Sequence, residues 1–544
     1  MGRIRILPEA LAGKIAAGEV IERPASALKE LLENSIDAHA TSIKIYIKGY
    51  GISEIKVVDD GEGIPSEDVI LALQRHATSK IEKEEDLFKI NTLGFRGEAL
   101  YSIAQVSKLR IITQHKYENI GTEIFVSQGD IIERKPANAN GTTIQIEDLF
   151  FNTPVRKKFL KSPFTERAHI LETVQNYALA YPETSFYLNI DGEEVLNFPR
   201  ADSIKERIAQ VFGVEFLEKL EFKSISDNRY RIELFWGNTQ LVRRNRTKQL
   251  IFVNRRPVRD SLVSSSLYKA FKVKEFHPQF LFFLTMPSDE VDFNVHPTKK
   301  EVRFRDTARL SELIFNIAEP EKISIIAERP VEWAVSENSN LIEQINFFQL
   351  NSFEAKEEFV DFLSLGDAIV AIRQSEGILF IDYHAAHERV NFEKILKALP
   401  ESSMNLVFPQ IIELNPTDYE LIVANLNVLK ELMIEAENFG KNSIIIRNIP
   451  EILKNVDLEG IIESIASVLK EELVKPDFTD IKRKIAETIA CHKSMRSNTK
   501  ITASELKALL RELEQTSDPE HCPHGRPIKK FISLEDIKKW FMRK

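Results

Sequence analysis

The sequence predicts an α+β, multidomain protein. Three observations point there. The chain has 544 residues, too many for one hydrophobic core, so about three or four domains are expected. Hydrophobic content is 43% and aromatic content 9%, as in well-packed globules. Strand-period and helix-period segments alternate through the first two hundred residues, with turn residues between them.

The pattern is organised around the stretch from Lys29 to Ala38. At helical spacing Leu28, Leu31, Leu32 and Ile36 fall on one face. Glu30, Glu33, Asn34 and Asp37 fall on the other, at i, i+3, i+4 and i+7, with no Lys or Arg among them. A row of oxygen ligands without its own cation suits a hydrated magnesium ion carrying phosphates. A solvated acidic side gives the same periodicity, and the motifs that follow decide between the two.

Residues 7–17 read as a short helix, and Pro24 and Ser26 open the central one. Residues 42–47 alternate as a strand. Residues 55–58 form a second strand that runs into Asp59-Asp60-Gly61-Glu62-Gly63. A carboxylate at a strand end followed by glycines lets backbone approach a flat ligand, and Asp59 can accept from an exocyclic amine such as that of adenine. A plain Asp-Gly turn is the alternative. Arg75-His76-Ala77-Thr78-Ser79-Lys80 opens a polar segment that closes on Gly94-Phe95-Arg96-Gly97. These glycines precede a helical pattern, so free N–H groups there can face an anion. No Gly-Lys-Ser/Thr follows, so this is not a Walker A loop. Gly141-Thr142-Thr143 starts a further strand, which alone would pass for an edge strand.

Net charge is 73 − 82 = −9, so any nucleic-acid surface must be a local basic patch. The clearest candidate spans residues 243–259, with Arg243, Arg244, Arg246, Lys248, Arg255, Arg256 and Arg259 and no acid between them. Phosphate contacts from such a run are sequence-blind and salt-sensitive. A solvated loop is the alternative. The only cysteines are Cys491 and Cys522, which excludes a disulfide framework. Both sit beside histidines, in Cys491-His492 and His521-Cys522-Pro523-His524, and thiolate with imidazole suits zinc. His384 and Glu388 are i, i+4 on a predicted helix behind a strand at residues 377–381, with Asp382 at the strand end, so they can face one metal. The first residues lack the apolar core of a signal peptide, and runs such as residues 280–286 are far short of a membrane span. A cytoplasmic protein is expected, associated with the nucleoid during its work, and no membrane partner.

The order of these signals resembles the GHKL ATPases. Residues 16–26, 75–80 and 94–100 resemble, more narrowly, the MutL mismatch-repair family. The resemblance implies an N-terminal GHKL (Bergerat) ATPase α/β sandwich at 1–205 and a ribosomal-protein-like transducer at 206–325. A linker follows at 326–352, then a C-terminal α/β dimerisation and endonuclease domain at 353–544. It implies ATP and Mg²⁺, with Glu30 as general base for the attacking water and Asn34 as metal ligand. Asp59, supported by Thr143, would read adenine. Gly63 and Thr78 would line the nucleotide, and Gly94, Phe95, Arg96 and Gly97 would form the lid. Lys299, in the motif at 291–304, would reach the terminal phosphate from the second domain. Asp60 stands where many relatives carry Asn and adds a charge near the site.

At the other end, Asp382, His384, Glu388, Cys491, Cys522 and His524 resemble the family's endonuclease site, binding regulatory Zn²⁺ or catalytic Mn²⁺. Asp382 and Glu388 would be catalytic, and Tyr383 replaces the family's Gln. The element's last position is Glu393, and Phe541-Met542-Arg543 resembles its terminal motif. The implied partners are double-stranded DNA, a MutS-like mismatch sensor and a second copy of the chain. Apolar patterns at 421–432 and 458–473 suit helices that pack a homodimer. A sliding-clamp motif would fall at 404–409, weakened by Met404 in place of Gln. The implied function is mismatch repair, with ATP gating a homodimer that nicks DNA. The alternative is an ATP-gated matchmaker whose zinc is structural only.

Overall fold

A computed structural model describes residues 13, 17–18, 20–81, 83, 92–94, 97–237, 242–243, 248–271, 277–293, 302–318, 362–366, 368–398, 403–440, 442–454, 457–471, 483, 486, 490, 501–523 and 525–540. Phe95, Arg96, Arg244, Arg246, Lys299, Cys491, His524, the expected linker and residues 541–543 lie outside them.

The first sheet has eight strands: β1 (Ser42–Lys48), β2 (Glu54–Asp59), β3 (Lys108–Gln114), β4 (Gly121–Ser127), β5 (Asp130–Ala137), β6 (Gly141–Glu147), β7 (Ser185–Ile190) and β8 (Glu193–Phe198). Their order across the sheet is β5-β4-β3-β6-β2-β1-β7-β8. β1 and β7 run parallel, and β1–β2, β2–β6 and β3–β6 are antiparallel. Burial alternates along β1, β2 and β3, so one face is core and the other is wetter.

The buried face carries the helices Pro24–Asp37, Ala99–Val106 and Pro163–Ala180. Leu28, Leu31 and Leu32 are essentially fully buried against Ile43, Ile45, Ile55 and Val57. At about 25 cal/mol per Å², each such leucine contributes about 2 kcal/mol. Pro24 sits in the first turn of the central helix, where its missing N–H costs nothing. This is the expected α/β sandwich. β6 is an interior strand, not an edge.

A second sheet follows the order Arg256–Val258, Gln249–Val253, Phe280–Thr285, Arg231–Gly237, Leu220–Ser226. The helices Ser261–Phe271 and Thr307–Ala318 cover it through Val263, Leu267, Leu310 and Ile314.

The described residues form two compact units, 1–319 with 403–481, and 320–402 with 482–544. In the first unit, the helices Pro416–Ala424, Leu426–Glu431 and Leu458–Glu471 bury Leu421, Leu429, Ile461 and Ile465 within the chain. Arg167 of the helix Pro163–Ala180 pairs with Glu420 at 2.8 Å. Those apolar residues are buried within the protomer.

The second unit holds a four-stranded sheet, Phe362–Gly366, Ile369–Gln374, Gly377–Asp382 and Lys529–Ser533, in that order. The helices Tyr383–Ala398 and Ala503–Leu513 pack on it. No described helix is long and apolar enough to cross a membrane.

Candidate functional site

The strand ends of the first sheet build the site. Antiparallel register places Asp59 opposite Thr142, and Thr142 opposite Thr113. Residues in register share a face, so one carboxylate and two hydroxyls line up across β2, β6 and β3. The Thr113 and Thr142 hydroxyls are 2.9 Å apart, and the Ile64 amide donates to Thr113 Oγ1 at 2.8 Å.

Asp59 is buried. Its Oδ2 accepts from Ser35 Oγ at 2.8 Å and its Oδ1 from the Gly61 amide at 3.0 Å. Burial raises its pKa above the ordinary aspartate value, and the bonds from Ser35, Gly61 and Thr142 oppose that rise. Gly63 adopts φ +74°, and a Cβ there would sit 2.1 Å from the Gln114 carbonyl oxygen. Only glycine fits.

Thr143 was expected beside Asp59. It pairs with Val58 and Ile112, and the two-residue period turns it to the opposite face. Thr142 takes the position. The sequence signal was the Gly141-Thr142 junction, where only parity decides between the two hydroxyls. Asp60 places its charge beside Asp59, as expected, and adds to the rise in the Asp59 pKa. Its carboxylate accepts from the Thr41 amide, the Thr41 hydroxyl and the Ser42 amide at 2.7–2.8 Å. Burial alone would raise its pKa, but these donors hold it below the usual value. Its charge is committed to the turn before β1.

The oxygen-bearing side of the central helix is part-buried and faces the glycine segment. Asp37 accepts from the Leu93 amide at 2.8 Å and the Gly94 amide at 3.0 Å. Lys80 Nζ donates to Asp37 at 2.5 Å and to Asn34 Oδ1 at 3.1 Å. An ammonium held between these oxygens is a stand-in cation, and the donor set fits a hard metal that prefers oxygen ligands. Thr78 closes a local turn by accepting from the Lys80 amide. Gly97, at φ +62°, lies so close to Ala77 that a Cβ would be 2.4 Å from its carbonyl oxygen. The His76 amide also bonds the Gly97 carbonyl. The stretch 75–80 and the glycine segment thus form one packed strap beside the helix.

Glu33 is not on a solvated face. It is 3% exposed and accepts from Tyr177 Oη at 2.6 Å. Lys29 supplies a cation to this helix, with Nζ 3.0 Å from both Glu30 and Glu33.

The basic run separates into different fates. Arg256 is buried, donates to the Thr92 carbonyl and lies over the Phe293 ring at 4.6 Å. It ties the second domain to the start of the glycine strap, a role the cation count missed, and it is withdrawn from any DNA footprint. Arg255 pairs with Glu183 at 2.7 Å and stacks on Tyr181. Lys248 pairs with Glu463 at 2.9 Å. Arg259 is exposed, and Arg243 lies on a two-residue strand paired with His277–Pro278.

In the second unit, Asp382 Oδ1 accepts from the Ala385 amide at 2.9 Å, capping the helix that carries His384 and Glu388. His384 Nε2 is 3.3 Å from Glu388 Oε1. Glu388 and Cys522 are buried, and Arg389 Nε donates to the His521 carbonyl at 2.7 Å, anchoring the Cys522 loop. Glu393 accepts from the Ser517 amide. Tyr383 is buried in the core of this unit. Among the described residues, no group of three or more His, Cys, Asp or Glu could hold a metal ion.

A sandwich with an acidic strand end, a paired threonine row and a glycine strap over an acidic helix defines a nucleotide-handling ATPase. The family described as "Histidine kinase-, DNA gyrase B-, and HSP90-like ATPase" matches residues 21–154. "DNA mismatch repair protein, C-terminal domain" matches 208–320, and "MutL C terminal dimerisation domain" matches 365–501. The DNA mismatch repair protein MutL of Thermodesulfovibrio yellowstonii is 61% identical over 544 residues, covering 100% of both chains. That of Coxiella burnetii (strain RSA 493) is 36% identical, covering 99% of both. The chain belongs to the MutL family of DNA mismatch repair proteins. Among solved structures, the Aquifex aeolicus MutL ATPase domain complexed with ADP is 31% identical, with a TM-score of 0.40, and covers 57% of this chain and 100% of that one.

Proposed function

We propose that this protein binds and hydrolyses ATP at the central helix and uses that cycle to gate a homodimer, which links mismatch recognition to strand removal and nicks duplex DNA. The observation that carries the nucleotide reading is the Lys80 ammonium held between Asn34 and Asp37, opposite a glycine strap and within one helix of Asp59. Asp59 accepts from the adenine amine, with Thr142 beside it. Glu30 orients the attacking water and takes its proton. Gly63 and Thr78 line the nucleotide, and Gly94 and Gly97 cover the phosphates together with Phe95, Arg96 and Lys299. Asn34 would hold Mg²⁺, which would supply positive charge to offset that of the phosphates.

The second unit would supply the nicking chemistry. His384 and Glu388 converge closely enough for one cation to bridge them. With Asp382, Cys491, Cys522 and His524 they would hold Zn²⁺ or Mn²⁺, an ion that activates water against a phosphodiester. Arg243, Arg244, Arg246 and Arg259 form the remaining DNA footprint, with Arg255 at its margin. The dimerisation match supports a homodimer. Leu363, Ala371 and Phe380 line up across three strands of the second unit's sheet, and Leu363 and Leu365 are exposed on its edge strand. A MutS-like sensor is the expected partner, the compartment is cytoplasmic, and Met404 leaves sliding-clamp binding weak.

The alternative, a matchmaker with structural zinc, is favoured by one observation: Asp382 already serves as a helix cap. Incubating purified protein with closed circular plasmid and Mn²⁺, with and without ATP, separates the two. Nicked circles support the endonuclease, and intact supercoils beside a working ATPase support the matchmaker.

A further inference from the structure

A buried polar chain runs from the helix Pro163–Ala180 to the side chain of Glu30. Tyr177 Oη donates to Glu33 Oε1 at 2.6 Å. Lys29 Nζ lies 3.0 Å from that same oxygen and 3.0 Å from Glu30 Oε1. Glu33 is 3% exposed and Tyr177 2%. Glu33 is held by the Tyr177 hydroxyl and the Lys29 ammonium in place of solvent. Burying a carboxylate costs several kcal/mol before its partners compensate, and an apolar residue of the same volume is often neutral or stabilising. The neighbouring leucines show that this helix readily buries apolar groups. What the buried carboxylate does is hold Lys29. A lysine left free would extend along four rotatable bonds into water. Here its ammonium is drawn inward and delivered to Glu30. Burial disfavours the Lys29 charge, but Glu30 and Glu33 together more than offset it and raise its pKa above the ordinary lysine value.

We propose that Glu33, Lys29 and Tyr177 are positioning residues for ATP hydrolysis: Tyr177 fixes Glu33, Glu33 fixes Lys29, and Lys29 sets the orientation of the Glu30 carboxylate toward the attacking water. The inference rests on Glu30 as the general base. A carboxylate tethered at one oxygen by a fixed ammonium keeps the other free and aimed, and misplacement by a fraction of an ångström lowers the chemical step without touching nucleotide affinity. Lys29 and Tyr177 are assigned above to neither adenine, phosphate nor metal, and Glu33, counted with the oxygen row from the sequence, is buried on Tyr177 and Lys29.

The test compares steady-state ATP hydrolysis and equilibrium binding of a non-hydrolysable ATP analogue, with Mg²⁺, in the full-length chain. Lys29→Met and Glu33→Gln are expected to lower kcat at least tenfold, about 1.4 kcal/mol, with the analogue's Kd and KM within about twofold of wild type. Tyr177→Phe, which removes one hydroxyl, is expected to lower kcat several-fold. Lys29→Arg keeps the charge and recovers part of the loss. Melting temperature is followed for each, and Tyr177→Phe with Lys29→Arg keeps the comparison decisive if Glu33→Gln folds poorly. Unchanged kcat in Lys29→Met and Glu33→Gln, while Glu30→Ala is inactive, overturns the positioning role alone. Normal turnover in Glu30→Ala overturns the base assignment itself. A parallel loss of Kd and kcat in the Lys29 and Glu33 variants also overturns the proposal, because it marks a general structural role.

Discussion

Ser35 Oγ donates to Asp59 Oδ2 across 2.8 Å, joining the buried side of the central helix to the end of β2. That bond ties the carboxylate at the strand end to the helix that bears Glu30, Asn34 and Asp37. Ser35→Ala should leave the sheet intact and loosen nucleotide binding by roughly fivefold, the effect of losing about 1 kcal/mol. Titration calorimetry with a magnesium–ATP analogue checks it, and unchanged affinity would separate the helix from the adenine contact.

Thr142 and Thr143 offer an internal control one residue apart. Thr142→Val removes a hydroxyl beside Asp59, whereas Thr143→Val changes the other face of β6. Nucleotide affinity should fall roughly fivefold in the first and stay within twofold in the second. The reverse ranking would mean that the register does not set the adenine contact.

Burial holds the Asp59 pKa above the ordinary aspartate value despite its hydrogen bonds. In the folded protein the protonated form is favoured relative to the unfolded chain. The associated stability is present at low pH and lost as pH rises through the folded-state pKa. Two outcomes follow. Nucleotide affinity should begin to weaken, as pH falls, before an ordinary aspartate would titrate. Asp59→Asn should melt no lower than wild type at neutral pH while losing nucleotide affinity. A large drop in melting temperature would assign Asp59 a structural role instead.

Asp382→Asn separates capping from metal chemistry, because asparagine caps a helix as well as aspartate does. The variant should keep its thermal stability and lose Mn²⁺-dependent nicking of supercoiled plasmid. Asp382→Ala should additionally cost about 1 kcal/mol of stability. Wild-type nicking by Asp382→Asn would remove this cluster from the endonuclease.

Arg256 and Arg259 should part company in DNA binding. Arg259→Ala should weaken binding to any duplex and reduce the salt slope by about one. Arg256→Ala should spare the salt slope and impair ATP hydrolysis, because its guanidinium holds the Thr92 carbonyl. Filter binding across a salt series, with ATPase assays in parallel, distinguishes them.

Much of the fold around the candidate site was legible in the chain. Leu28, Leu31 and Leu32 marked the buried side of the helix, and the strands read at 42–47 and 55–58 fall within a residue of the bounds of β1 and β2. Asp59 and Gly63 were legible because a strand end and a glycine with positive φ leave local signatures. What was not legible was non-local. Side-chain parity in β6 depends on register with β2, which no local pattern encodes. Glu33 and Arg256 look like surface charges until Tyr177 and Thr92 arrive from distant parts of the chain. Apolar patterns at 421–432 and 458–473 state that a face is buried, not whether the cover is a second copy or the same chain.

The most direct test is backbone hydrogen exchange of the full-length protein with and without Mg²⁺ and a non-hydrolysable ATP analogue. The expected result is slowed exchange concentrated at residues 59–64, 76–80 and 92–97 and at the helix Pro24–Asp37, and none of it in an Asp59→Asn variant. Ligand-dependent protection elsewhere, with these segments unchanged, would contradict a nucleotide docked between Asp59, the oxygen row of the central helix and the glycine strap.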